Sequence, residues 1–298
     1  GYRFNISFST IMRHINLLFK PRRLRLPEVI SIDEFKNLKN GYGKYAFIMV
    51  DPIDHKLIDL FPNRRKDNLI KHFSKVPIEE RLKVKIVISD LWEPYRDLVK
   101  IVFPKAKLVA DKYHFIRQLY WGLNHIRVRV MKTYQEGTTE YYLFKKYWKI
   151  INKYTYNLSN NFFYDYKFRY HVNSRQLINI IRDINPDIKV AIDLKDEFYE
   201  LLHTSDYNNI HDRLSIYIEK LKNSGLKEYF DVGKTFINWF EEICNSFIDP
   251  IFTNGFIEGL NNKVKVIKRI AFGYRNFDNF KSRIFALTTN DLPLSYAY

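Results

Sequence analysis

The feature that most constrains the fold is a change of texture near residue 114. Before it, short β-rich runs at 28–35, 45–50 and 56–61 are separated by turn signals such as Asn40-Gly41-Tyr42-Gly43 and Asp51-Pro52. Three strands so close in sequence predict an antiparallel meander. Residues 66–76 then read as a helix, 84–89 as a continuous apolar strand, 93–103 as a helix and 107–110 as a second apolar strand. Strand–helix–strand units pair in parallel, so the expected order is β-β-β-α-β-α-β in one mixed sheet. From about 114 to 250 the strands stop, and 114–135, 141–153, 174–184, 188–203, 207–223 and 228–247 all read as helices. The chain is thus expected to be α/β, its sheet interrupted by a large all-α insertion. Four segments follow: a basic opening over 1–27, the first part of the sheet over 28–113, the insertion over 114–250, and helices over 251–298 that complete the core. In the first, 6–15 reads as a helix with Ser9 as its N-cap, and Arg22, Arg23, Arg25 and Pro27 read as a linker.

A hydrophobic content of 46% over 298 residues supports a sizeable core. Lys and Arg number 49 against 33 Asp and Glu, a net charge of +16 that attracts polyanions, nucleic acid above all. The single cysteine, Cys244, excludes an intrachain disulfide and a Cys-based zinc site, which fits a reducing, cytoplasmic setting. No run is long enough to span a membrane, so no membrane partner is expected. The chain opens in mid-pattern without an initiator Met, as a fragment or trimmed chain would.

One acid stands where acids are unexpected. In the run from Thr253 to Arg269, Ile257, Leu260, Val264, Ile267 and Ala271 make a three/four-spaced apolar stripe of a helix. Asn254, Glu258, Asn261, Lys265 and Lys268 make a polar stripe beside it. A carboxylate among amides and cations repels nucleic acid unless a divalent cation lies between them, which suggests metal-dependent chemistry on a phosphodiester. Asp33 lies inside the first strand and Asp90 ends the fourth. With Glu258 they make three oxygen ligands, the preference of Mg²⁺ or Mn²⁺, and two such ions can clamp both oxygens of an in-line displacement. Each residue has a plainer reading: Asp90 as a helix N-cap, Asp51 as a turn residue, and Glu34, on the opposite side of its strand, as the rival of Asp33. Asp111 and His114 read either as the capped start of a helix or as support for the site. Asn254, Asn261 and Asn262 are further support residues. Between 263 and 283, Lys263, Lys265, Lys268, Arg269, Arg275, Lys281 and Arg283 face one acid, Asp278, with Phe272, Tyr274 and Phe277 among them. Lys263, Lys265, Lys268, Arg269, Tyr274 and Arg275 are the expected DNA contacts, since such a surface can hold phosphates and stack on bases. His125, Arg127, Arg129 and Lys132 form a second strip, with a solvated helix face as the alternative.

Three blocks of these residues resemble a known family. Asp90-x4-Tyr95 followed by Phe103-Pro104-x-Ala106-x-Leu108-Val109-x-Asp111-x-Tyr113-His114 resembles the central block of bacterial insertion-sequence transposases of the ISL-three (ISL3) family. Asn254-Gly255-Phe256-Ile257-Glu258-Gly259-Leu260-Asn261-Asn262-Lys263-x-Lys265 with Ala271-Phe272-Gly273-Tyr274 resembles its C-terminal block, and Ile32-Asp33-Glu34-Phe35 its first. The resemblance implies an RNase H-like catalytic core with a metal-binding triad at Asp33, Asp90 and Glu258, two Mg²⁺ or Mn²⁺ ions per site, and a helical insertion before the glutamate. It implies cleavage and strand transfer at the ends of a mobile element. Double-stranded DNA is the implied partner, met by a homo-oligomer at the bacterial nucleoid. Family members carry an N-terminal zinc segment and a helix-turn-helix; residues 1–27 read as the remnant of that helix-turn-helix. A related nuclease without strand transfer, and a truncated or domesticated DNA-binding protein, are the alternatives.

Overall fold

The β-rich runs form strands and the periodic runs form helices, with boundaries moved by a few residues. The computed structural model describes residues 6–18, 24–38, 43–271, 274 and 276–288. Arg22, Arg23, Asn40, Phe272 and Arg275 lie outside them. The chain divides into two compact units, residues 1–111 with 249–298, and residues 112–248.

The first unit opens with α1 (Phe8–Leu18), followed by β1 (Val29–Lys36), β2 (Tyr45–Asp51) and β3 (Lys56–Phe61). Then come α2 (Lys66–Phe73), the single turn α3 (Ile78–Arg81), β4 (Ile86–Ser89), α4 (Glu93–Val102) and β5 (Lys107–Ala110). In α1 the cap is Ser7 rather than the expected Ser9: its hydroxyl accepts from the Thr10 N–H at 3.1 Å. Both serines are permitted caps, and the helix begins two residues earlier than a Ser9 cap implies. The strands form one mixed sheet in the order β3-β2-β1-β4-β5. β1 and β3 flank β2 in antiparallel pairs, whereas β1–β4 and β4–β5 are parallel. The meander and the parallel units are those expected from spacing. Asp51 is the turn residue it was read as, its Oδ1 accepting from the Ile53 and Asp54 N–H groups at 2.9 Å each.

The second unit contains α5 (Lys112–Met131), α6 (Thr139–Lys146), α7 (Trp148–Asn152), β6 (Phe163–Asp165) and β7 (Tyr170–Val172). It continues with α8 (Ser174–Ile184), α9 (Pro186–Thr204), α10 (Ile210–Lys222), α11 (Lys227–Asn238) and α12 (Phe240–Asn245). This corrects the expectation that strands stop after residue 114. β6 and β7 pair as an antiparallel hairpin. Its ten residues are mostly aromatic or basic on both faces, so no two-residue alternation betrays it. The runs read as one helix over 141–153 and over 228–247 are each broken, at Tyr147 and Trp239. α5 lies centrally: Phe115 packs on Phe198 and Phe236, at ring separations of 6.4 Å each. Gly122 lets α11 close in, since a Cβ there would lie 3.1 Å from the Tyr229 ring. Cys244 is buried, and burial pushes its thiol up to about 12, so it serves as a neutral core group.

The chain returns to the first unit with α13 (Gly255–Ile270) and α14 (Phe277–Thr288). On one face of the sheet, Phe35, Ala46, Ile48, Val50 and Leu60 form a core with Ile257, Leu260, Val264 and Ile267 of α13 and Phe280 and Ile284 of α14. On the other, Phe47 meets Phe73 of α2 and Tyr95 of α4. Residues Ala46–Val50 are therefore buried on both sides, which is why β2 reads as an unbroken apolar run.

Candidate active site

The sheet register sets three aspartates at one end of the sheet. Ser31 of β1 and Ile88 of β4 are the last pair of their parallel ladder, so Asp33 lies two residues past it in β1 and Asp90 directly follows the end of β4. Ser89 pairs with Ala110 of β5, and the Asp111 N–H donates to the Ser89 carbonyl at 3.0 Å, which puts Asp111 level with Asp90. Side chains level across parallel strands point to the same face. Carboxylate oxygens of Asp90 and Asp111 lie within 4.8 Å of one another. Asp90 does not occupy the N-cap of α4; Trp92 does. Asp111, at 6% exposure, sits directly before α5 and is a buried acid of the first unit.

α13 crosses the same face. The Ser31 hydroxyl donates to Asn254 Oδ1, and two turns later Asn261 Nδ2 donates to Asp33 Oδ2 at 2.6 Å. The second oxygen of Asp33 accepts from the Glu34 N–H at 2.6 Å. These amides are buried because they are the polar edge of the helix's core face. At about 100° per residue, Glu258 stands roughly 40° around α13 from Asn254, in the opposite sense to Ile257 and Val264. The asparagines meet β1 through Ser31 and Asp33, and Glu258 lies on their flank away from the apolar stripe. Glu258 is solvent-exposed in the first turn of α13. Among the described residues, neither it nor Asp33 joins a set of three ligand atoms lying within 4.8 Å.

Glu34 is accounted for otherwise. It points to the opposite face, where it pairs with Arg64 and accepts from the Tyr95 hydroxyl at 3.3 Å. Arg64 is stacked between Tyr45 and Trp92, 4.4 and 4.3 Å from their ring centres. Burial pushes the Tyr95 hydroxyl well above its usual range, and the charges of Glu34, Asp33 and Asp90 push it further. The buried phenol is therefore a proton-bearing donor to Glu34, on the face of the sheet away from α13.

The basic residues divide by what they touch. Lys263, Lys265 and Arg269 are exposed, with Lys265 near Asn262 Oδ1 at 3.2 Å. Lys268 instead donates to the Lys36 carbonyl at 2.6 Å, closing the end of β1. Tyr274 packs inward, 4.9 Å from the Phe280 ring. In the second unit, Arg127 donates to the Phe144 carbonyl at 2.6 Å, and Arg129 pairs with Asp187 and Glu228 at 2.8 Å each. Hydrogen bonds donated to Glu228 and then to Asp187 hold the Arg129 guanidinium above its usual range. The structure thus gives this strip internal partners; helices packed against α5 supply the acids, which the sequence spacing did not show. His114, in the first turn of α5, receives Arg117 Nη2 at its Nδ1, 3.1 Å away.

A transposase family model of ISL3 type matches residues 30–284. The chain belongs to the ISL3 transposase family. It is similar to the transposase for insertion sequence element IS1001 of Bordetella parapertussis, with 25% identity over 86% of this chain and 60% of that protein. The ISL3 chain thus spans about 60% of the length of that relative. A Lactococcus lactis subsp. lactis protein named as an ATP-dependent protease is 30% identical over 38% of the chain and 35% of its own length. No helix among the described residues is long and apolar enough to cross a membrane. Asp90 and Asp111 offer carboxylates, hard oxygen ligands that suit Mg²⁺ or Mn²⁺, so these two residues fit the divalent ions this family's chemistry calls for.

Proposed function

We propose that this chain is the catalytic core of a DNA transposase, an RNase H-like sheet that cuts the ends of an insertion sequence and joins them to target DNA. What supports the reading is that Asp33, in β1, and Asp90, just after the neighbouring parallel strand β4, lie at the same end of the sheet, with Asn261 of the helix that bears Glu258 bonded to Asp33. Asp33, Asp90 and Glu258 would hold the divalent ions, with Asp111 as an additional carboxylate beside Asp90. When bound, such ions supply Lewis-acid polarisation of the phosphoryl group and a lowered pKa for the attacking water. The chain's own residues fix the donors. Asn261 and the Glu34 N–H orient the two oxygens of Asp33, and Asn254 ties α13 to β1 through Ser31. Lys265 and Arg269 lie on the same helix, where exposed cations can hold the backbone of the strand being cut. Cleavage leaves a 3′-hydroxyl, and attack of that hydroxyl on a second phosphodiester joins the end to target DNA. A supercoiled plasmid carrying the DNA that flanks the gene, incubated with the protein and Mg²⁺, tests the reading. Nicks at defined ends followed by joined products support it. Nicking without joining leaves a nuclease, and binding without either leaves a DNA-binding protein.

A further inference from the structure

The hairpin that the sequence concealed carries an unusual surface. Tyr166 at its tip is 82% exposed, Phe162 61% and Tyr170 50%, and Tyr164 stands beside them. Soluble proteins rarely leave so many large rings in water without a partner. The rings are held, not loose. Asp165, fully buried, accepts from the Tyr142 hydroxyl at 2.8 Å, from the Tyr147 hydroxyl and from Lys146 at 3.2 Å. Its other oxygen accepts from the N–H groups of Lys167 and Phe168, at 2.8 and 3.0 Å, and shapes the turn. Arg169 closes that turn in the left-handed region, at φ 61°. Burial would raise the Asp165 carboxyl, yet the hydrogen bonds from Tyr147, Phe168, Tyr142 and Lys146 hold it well below the usual range. A two-stranded hairpin of three-residue strands has little stability alone, so this buried anchor is what presents the rings in fixed places.

The sequence flanking the hairpin is mostly basic, with Glu136 and Glu140 just before it. Between 141 and 176 the basic residues are Lys145, Lys146, Lys149, Lys153, Lys167, Arg169 and Arg175, and the only acid is Asp165, which is buried and consumed by its anchor. Lys167 and Arg169 are exposed on the same turn as Tyr166. Tyr164 lies edge-on to Tyr166 and to His171, at 5.2 and 5.4 Å, while Tyr170, half exposed, stacks one face on Phe168 at 5.4 Å. Lys167 donates to the Gly137 carbonyl at 2.7 Å and stays exposed, as does Arg169. Exposed rings interleaved with exposed cations suit a flexible polyanion whose own flat groups are free to stack. An acidic protein surface would be met by the cations alone and would leave the rings wet. A duplex offers phosphates but keeps its base faces covered.

We propose that the β6–β7 hairpin is a binding site for single-stranded nucleic acid, whose unpaired bases stack on Tyr164, Tyr166 and Tyr170 while Lys167 and Arg169 meet its phosphates. The site goes beyond the cleavage reading and needs no catalysis, so the two fail separately. The test is fluorescence anisotropy of the full chain with a labelled oligothymidine strand and with a duplex of the same length. Replacing Tyr164, Tyr166 and Tyr170 by Ala should weaken single-strand binding at least tenfold, with duplex binding changed less than twofold. Replacing the same three by Phe keeps the rings and should retain affinity, which also guards against a folding defect. The variant Lys167→Ala/Arg169→Ala should lower the slope of log affinity against log salt by about one to two. Single-strand affinity unchanged in the alanine variant overturns the proposal. So does a loss of self-association in sedimentation with no loss of strand binding, which would make the rings a contact between copies of this chain. If the wild-type chain never cuts DNA but the alanine variant loses the strand, the hairpin assignment stands without the transposase reading.

Discussion

At the scale of single residues, Asp33, Asp90 and Glu258 make the sharpest test. Asp33→Asn, Asp90→Asn and Glu258→Gln each keep size and hydrogen-bonding capacity while removing a charge. Each should abolish Mg²⁺-dependent cleavage, a loss of at least about a thousandfold, while DNA affinity changes little, because the exposed cations of α13 remain. A variant that cuts at near wild-type rate removes that residue from the site. A second residue has a purely structural expectation. Asp59 of β3, 2% exposed, accepts from His72 Nε2 at 2.7 Å and from Lys281 of α14. Burial alone would raise its carboxyl; the hydrogen bond from His72 and the charge and hydrogen bond of Lys281 outweigh burial and hold it below the ordinary 3.8. A depressed carboxylate stabilises the fold above its unfolded value and loses that contribution as pH falls through the folded one. Asp59→Asn should therefore lower Tm most at neutral pH, and its deficit against wild type should shrink below about pH 4. Lys281→Met, which strips one partner from a buried acid, should cost about 3 kcal/mol at pH 7 in denaturant titrations.

At the scale of elements, α13 joins core to chemistry. One side buries Ile257, Leu260, Val264 and Ile267, and its edge holds Asp33 through Asn261. Leu260→Ala should cost roughly 2–5 kcal/mol. Because the same helix carries Glu258, cleavage measured well below the lowered Tm should fall by more than the folded fraction does. Cleavage that simply tracks the folded fraction would mean that the seat of α13 on the sheet does not set the position of Glu258. Asn261→Ala separates the two functions of the helix more cleanly. The amide's bond to Asp33 and its longer contact with the Glu34 carbonyl are lost, so the expected result is a small change in Tm with at least a tenfold drop in cleavage and a higher Mg²⁺ requirement.

At the scale of the whole molecule, the +16 charge is distributed rather than uniform. Lys268 closes a strand end, Arg127 and Arg129 hold helices together, and Lys265 and Arg269 stay exposed beside Glu258. Filter binding to duplex DNA across a salt series should show the difference. Lys265→Ala/Arg269→Ala should reduce the slope of log affinity against log salt by about two, whereas Arg129→Ala should leave the slope alone and lower Tm. An unchanged slope for the first variant would move the duplex contact away from α13.

What the sequence determined by itself is what local physics decides. Spacing of apolar residues separated strands from helices, the short gaps between the first three strands forced a meander, and the three/four stripe of α13 marked Glu258 as a polar intruder beside a core face. Asp51 announced its turn because Pro52 follows it. Contacts between residues distant in the chain were decided only by the tertiary structure. Glu34 and Asp33 are neighbours in sequence, and only the approach of Arg64 and Tyr95 to one face and Asn261 to the other tells their environments apart. Arg127 and Arg129 look like a free basic strip until α6, α9 and α11 supply Phe144, Asp187 and Glu228. The β6–β7 hairpin escaped because its strands are three residues long and exposed on both faces, so no buried side imposes a period. Its fold is fixed instead by Asp165 reaching Tyr142 and Tyr147 about twenty residues back, a buried charge whose partners no local pattern can name.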